Sequence, residues 1–129
     1  MDDGTKPKAT TRASEIRIML YPSNYSRSKQ FYAEIIGWPV QFEWDSEESK
    51  GVMFDTGCGI IELLWESAGQ RPCETISVSL RVADVWSLWP KMKNKAEVVF
   101  ALRQNAWGDD SFCLADPDGC KLIFFTDRA

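Results

Sequence analysis

Residues 107–126, Trp-Gly-Asp-Asp-Ser-Phe-Cys-Leu-Ala-Asp-Pro-Asp-Gly-Cys-Lys-Leu-Ile-Phe-Phe-Thr, read as a β-hairpin. Two runs rich in apolar and β-branched residues, 111–115 and 120–126, flank Asp116-Pro117-Asp118-Gly119. That tetrapeptide places Pro and Gly where a reversing turn uses them. Outward from the hairpin, residues 75–82 (TISVSLRV) predict a strand, and Asp84 is positioned to cap a helix. That helix carries Val85, Leu88, Trp89 and Met92 on one side, with Pro90 expected to kink or shorten it. Residues 96–102 predict a further strand. The second half therefore runs strand, helix, strand, strand, strand.

The first half has the same order. Ile16, Ile18 and Leu20 alternate with Arg17, Met19 and Tyr21 as a strand does. Ser26 is expected to cap a helix reaching Ile36, whose apolar stripe is Phe31 and Ile35 with Tyr32 or Ile36. Gly37 then stands where a left-handed helix terminator belongs. Strands are predicted over 40–44, 51–55 and 60–65. Two βαβββ modules, about 14–66 and 74–127, thus follow a polar segment, 1–13, expected to be a flexible tail. Residues 14–129 are expected to form one α+β domain, a size suited to a single core.

Composition narrows the function. The chain of 129 residues contains no histidine, which removes the commonest metal ligand and any Ser-His-Asp set. Its net charge of −4 argues against nucleic acid, and Lys91–Lys95 is too small a basic cluster to reverse that. No apolar run approaches the roughly 18 residues of a membrane span, and the N-terminus lacks the apolar core of a secretory signal. The four cysteines, at 58, 73, 113 and 120, have no CxxC spacing and read as reduced, mostly buried thiols of a cytoplasmic protein. Gly57-Cys58-Gly59 is a turn without the helix a phosphate loop requires. Glu47-Glu48 and Asp109-Asp110 read as solvated loop charges.

Four segments together resemble the glyoxalase/bleomycin-resistance/extradiol-dioxygenase (vicinal oxygen chelate) superfamily, over residues 15–127. They are Phe31-Tyr32 with Ile36-Gly37-Trp38, Gly59-Ile60-Ile61-Glu62-Leu63, Ser79-Leu80-Arg81-Val82-Ala83-Asp84, and Trp107-Gly108 with Phe112 and Asp116–Gly119. The last is the most specific and resembles the bleomycin-resistance branch. The resemblance implies two cupped mixed sheets with helices outside, a cleft built from the two cups, and a homodimer formed by pairing or exchange of modules. Metal-dependent members hold a divalent ion through four strand positions. Carried over singly, those positions are Arg17, Glu62, Ser77 and Ile123. One carboxylate falls short of the about three protein ligands a catalytic metal needs. The expectation is therefore no metal and no cofactor.

Strand alternation then suggests the cleft lining. If Arg17 and Glu62 face inward, Met19, Tyr21, Ile60 and Leu64 accompany them; Ser77, Ser79 and Arg81, and Lys121, Ile123 and Phe125, line the second module. Trp44 and Trp65 lie near strand ends suited to a cleft rim, Trp107 either packs or stacks on a ligand, Phe112 is expected among the ligand-binding residues, and Trp38, Trp86 and Trp89 take packing roles. Arg17 and Glu62 either pair with each other in the interior or recognise opposite charges on a ligand. The resulting expectation is a metal-independent protein that sequesters a hydrophobic or aromatic small molecule, cationic ones included, as antibiotic-resistance members do. The alternatives are a metal-dependent lyase or transferase of the same superfamily and a non-catalytic protein-interaction module.

Overall fold

A computed structural model describes residues 11–72 and 75–128. The first module is β1 (Arg17–Leu20), α1 (Tyr25–Gln30) running into a π-helical segment (Phe31–Ile36), β2 (Val40–Asp45), β3 (Ser49–Asp55) and β4 (Ile60–Glu66). The second is β5 (Ser77–Arg81), α2 (Val85–Met92), β6 (Glu97–Gln104), β7 (Asp109–Ala115) and β8 (Lys121–Asp127). Each builds a four-stranded mixed sheet, ordered β1-β4-β3-β2 and β5-β8-β7-β6, with one parallel pair and two antiparallel pairs. The repeat of two βαβββ modules is thus the architecture of an α+β fold.

The helix boundaries follow local chemistry. Asn24, rather than Ser26, caps α1: its extended backbone lets Oδ1 accept from the Arg27 N–H at 3.0 Å. Ser26 is already inside the helix, where its hydroxyl no longer faces the free N–H groups. The helix then widens to a π turn that closes on Gly37 at φ +83°, with the Gly37 and Trp38 N–H groups both reaching the Tyr32 carbonyl. The wider turn buries Phe31, Tyr32 and Ile36 together. Asp84 caps α2 as expected, accepting from Trp86 and Ser87, and Pro90 sits within the eight-residue helix.

One core serves both modules. Leu20, Ile61, Leu63, Val52 and Phe54 of the first sheet pack in the same cluster as Phe112, Leu114, Leu122 and Phe124 of the second, with Tyr32, Val85 and Met92 from the helical segments. Phe112 is fully buried between Trp89, at 5.1 Å, and Phe124, at 5.2 Å. Burying a side chain of that size is worth about 2–3 kcal/mol.

The two modules are tied at the Asp116–Gly119 turn. Asp116 Oδ1 accepts from the Asp118 and Cys120 N–H groups, both at 2.9 Å, and Oδ2 accepts from Tyr32 Oη at 2.8 Å. Asp118 accepts from the N–H and hydroxyl of Ser23 in the first module. Burial is the main reason the Tyr32 hydroxyl holds its proton far above the ordinary range, and the Asp116 charge adds to it. Tyr32→Phe should therefore cost about 1–3 kcal/mol, because it leaves a buried carboxylate oxygen unpaired. Urea unfolding should show a lower midpoint with an unchanged slope; an unaltered midpoint would contradict this role.

Candidate functional site

Strand registers define the faces the sheets do not bury against each other. In the first sheet Arg17 pairs with Ile60, Met19 and Met53 with Glu62, and Gly51 with both Leu64 and Trp44. Alternation puts Arg17, Met19, Glu62, Leu64, Met53, Phe42 and Trp44 on one face, opposite Leu20, Ile61 and Leu63. In the second sheet Ser77, Ser79 and Arg81 pair with Lys121, Ile123 and Phe125, and Cys113 and Ser111 pair with Ile123 and Phe125. These residues share the face opposite Leu114, Leu122 and Phe124. The common core uses the Leu20 and Leu122 faces. The Glu62 face and the Ile123 face therefore both turn away from it.

The first open face is apolar with a carboxylate at its centre. Met19 and Phe42 are 51% and 57% exposed, and Trp44 lies flat across the face beside Phe42, its indole N–H on Ser49 Oγ at 3.3 Å. Gly51 makes room for that ring: a Cβ there would stand 2.2 Å from Trp44 Cη2. Glu62 is only 7% exposed, and nothing among the described residues donates a hydrogen bond to its carboxylate. The anticipated interior pair with Arg17 does not form. Arg17 instead binds Glu15 at 2.6 Å near the surface and reaches Met53 Sδ at 3.7 Å. The guanidinium sits two residues along β1 from Met19, Glu62's actual neighbour, so the nearby Glu15 captures it.

The second open face is aromatic and cationic. A cavity of about 310 Å³ is lined by Phe100, Arg103, Trp107, Ile123 and Phe125, with Asp109, whose carboxylate accepts from Asn105, also at its wall. Trp107 is 74% exposed at the tip of the 105–109 turn. Phe112, expected at this cleft, instead faces the core, because alternation along β7 places it between Ser111 and Cys113 on the other side. Ser77 and Phe125 lie on this face with Arg81, which pairs with Asp127 at 3.1 Å.

Phe42, Met53, Phe100 and Arg103 escaped the sequence reading. Phe42 was accessible to it through the i, i+2 relation with Trp44. Met53 required the β3–β4 register. Asp110, read as a solvated loop charge, is buried: it accepts from Trp86 Nε1 at 2.7 Å and binds Arg128. Its partners lie 24 and 18 residues away, beyond local pattern. Trp86, expected to pack, is half exposed and anchored through that bond.

The donors at the four positions carried over from the resemblance do not fit a divalent ion. Glu62 is flanked by the thioethers of Met19 and Met53, Ile123 by Ser79 and Cys113, and Ser77 by Lys121. Among the described residues no three His, Cys, Asp or Glu side chains converge as a metal's donor set. Nor is any described helix long and apolar enough to cross a membrane. Cys58 and Cys113 are free thiols, the second buried; Cys120 is buried, and Cys73 lies outside the described residues.

The model of the Glyoxalase/Bleomycin resistance protein/Dioxygenase superfamily matches residues 16–124. The chain belongs to that family. Its fold recurs in solved structures of low sequence identity. TioX from Micromonospora sp. ML1 superposes with a TM-score of 0.74 at 19% identity, covering 89% of this chain and 99% of TioX. TnmS3, described as an antibiotic binding protein from Streptomyces sp. CB03234, gives 0.71 at 16% identity, covering 92% and 98%. YycE from Bacillus subtilis, described as a putative glyoxalase/fosfomycin resistance protein, gives 0.67 at 22% identity, covering 87% and 88%. No curated protein matches the chain.

The Asp110 cluster has a pH signature. The Trp86 hydrogen bond, then that of Arg128, holds its carboxyl below the ordinary 3.8. A carboxylate favoured in the folded state contributes stability above its unfolded pKa and loses it as pH falls through the lower folded value. Trp86→Phe should therefore shrink the drop in urea midpoint between about pH 6 and pH 3. An equal drop in both proteins would exclude Asp110 as a contributor.

Proposed function

We propose that this protein binds a small hydrophobic or aromatic molecule, cationic ones included, and sequesters it without metal chemistry. The observation that carries this reading is Glu62, a largely buried carboxylate set in the open face, with no hydrogen-bond donor to it among the described residues and framed by Met19, Met53, Phe42 and Trp44. A carboxylate set among apolar side chains gains when a donor or an opposite charge satisfies it. A ligand ammonium or other cation does so, while Trp44 and Phe42 offer ring faces that attract the same charge. A flat ligand also gains by covering exposed apolar side chains.

The reading without a metal rests on the donors: one carboxylate beside thioethers, with a guanidinium, a hydroxyl and an alkyl side chain at the other three positions. TnmS3, an antibiotic binding protein of the same fold, supports small-molecule binding as the activity. The assembly we propose is a homodimer. Because the two open faces turn away from a common core, a cleft using both takes the first sheet of one copy and the second sheet of the other. The free thiols suit a cytoplasmic setting.

Titration of tryptophan fluorescence with planar aromatic cations of the acridine class should give saturable quenching, unchanged by EDTA. Glu62→Gln should weaken it at least tenfold, as losing a charged hydrogen bond of about 1.5–3 kcal/mol requires. Light scattering should report twice the chain mass. Absence of quenching by every member of the panel would overturn the proposal, and binding abolished by EDTA would overturn its metal-free part.

A further inference from the structure

The second open face has chemistry of its own, and it comes from an irregularity in β6. Phe100 pairs with Cys113 and Arg103 with Ser111, so three steps along β6 match two along β7. The extra residue is a β-bulge. In a regular strand residues 100 and 103 would point to opposite faces. Here both stand on the open face, and the Arg103 guanidinium lies over the Phe100 ring at 3.7 Å.

Arg103 is held by one edge only. Its Nε donates to Asn105 Oδ1 at 3.0 Å, and Asn105 Nδ2 donates in turn to Asp109 Oδ1 and Ser111 Oγ, both at 2.8 Å. The two terminal nitrogens have no partner among the described residues. The nearby carboxylates are engaged: Asp109 with Asn105, Asp127 with Arg81, and Asp110 with Trp86 and Arg128. Arg128 braces the turn from behind, donating from Nη2 to the Asn105 carbonyl at 2.7 Å, from Nη1 to the Asp109 carbonyl at 2.9 Å, and from its backbone N–H to Gly108. Trp107 projects from that braced turn beside the cavity.

From this geometry we infer that Arg103, Phe100 and Trp107 form a subsite for a planar aromatic acid, the ring against Trp107 and its carboxylate on the free fork of Arg103. A guanidinium fixed by its Nε and stacked on a ring presents both terminal nitrogens to a carboxylate in the two-point geometry arginine favours. This inference rests on the proposed binding function and sharpens it. With Glu62 on one open face and Arg103 on the other, the ligand that suits both is zwitterionic, an aromatic molecule bearing an acid and an amine.

Calorimetric titration with 2-naphthoate, its neutral methyl ester and 2-naphthylmethylammonium tests it. In the wild-type protein naphthoate should bind at least tenfold tighter than the ester. Arg103→Met should erase that difference, leaving the ester within twofold, while Arg103→Lys should retain only part of it. Equal affinities of acid and ester in the wild type, or equal weakening of both by Arg103→Met, would overturn the inference. Binding of the ammonium or the ester without the acid would overturn it while leaving the proposed function standing. Binding of none of the three would overturn both.

Discussion

The structure depends on one carboxylate. Asp116 accepts from two backbone N–H groups of its own turn and from the Tyr32 hydroxyl 84 residues earlier in the chain. A turn that would otherwise close a hairpin thereby becomes a joint between modules. The environment makes the joint expensive to break. The Tyr32 ring is fully buried against Phe31, Trp38 and Phe54, so neither the hydroxyl nor the carboxylate oxygen finds water when the other is missing.

That joint decides where the ligand chemistry lies. It draws the Leu20 face of one sheet and the Leu122 face of the other into a single core. Alternation then sends every odd-numbered neighbour on those strands outward: Arg17 and Met19 from β1, Ile123 and Phe125 from β8. The open faces differ in character. One carries a carboxylate among thioethers and indole; the other carries a guanidinium on phenyl and indole. The homodimer proposed above would oppose them, with charge of opposite sign at the two walls of the cleft and aromatic surface between.

Much of this was legible in the residues. The two βαβββ modules, the Asp84 cap, the Gly37 helix end and the Asp-Pro-Asp-Gly turn follow from local chemistry, because capping and turn geometry involve neighbours a few residues apart. Strand alternation groups Glu62, Met19 and Leu64, and separately Ile123 and Phe125, and the registers put each group on one face of its sheet. Phe112, expected among the ligand-binding residues, faces the core, because within its strand it alternates with Ser111 and Cys113. Arg103 was out of reach because a bulge cannot be read from a period-two pattern; only pairing with β7 reveals the extra residue.

The amino-acid sequence by itself determined the element order, the repeat and the absence of histidine, since each is a matter of residue identity or short-range spacing. Tertiary structure alone decided that Glu62 stands between Met19 and Met53, that Asp110 is clamped by Trp86 and Arg128, and that Phe100 and Arg103 share a face. The physical reason is the same in each case. A charge takes the partner that packing and register bring within a few ångströms, and those are set by contacts between segments far apart in the chain.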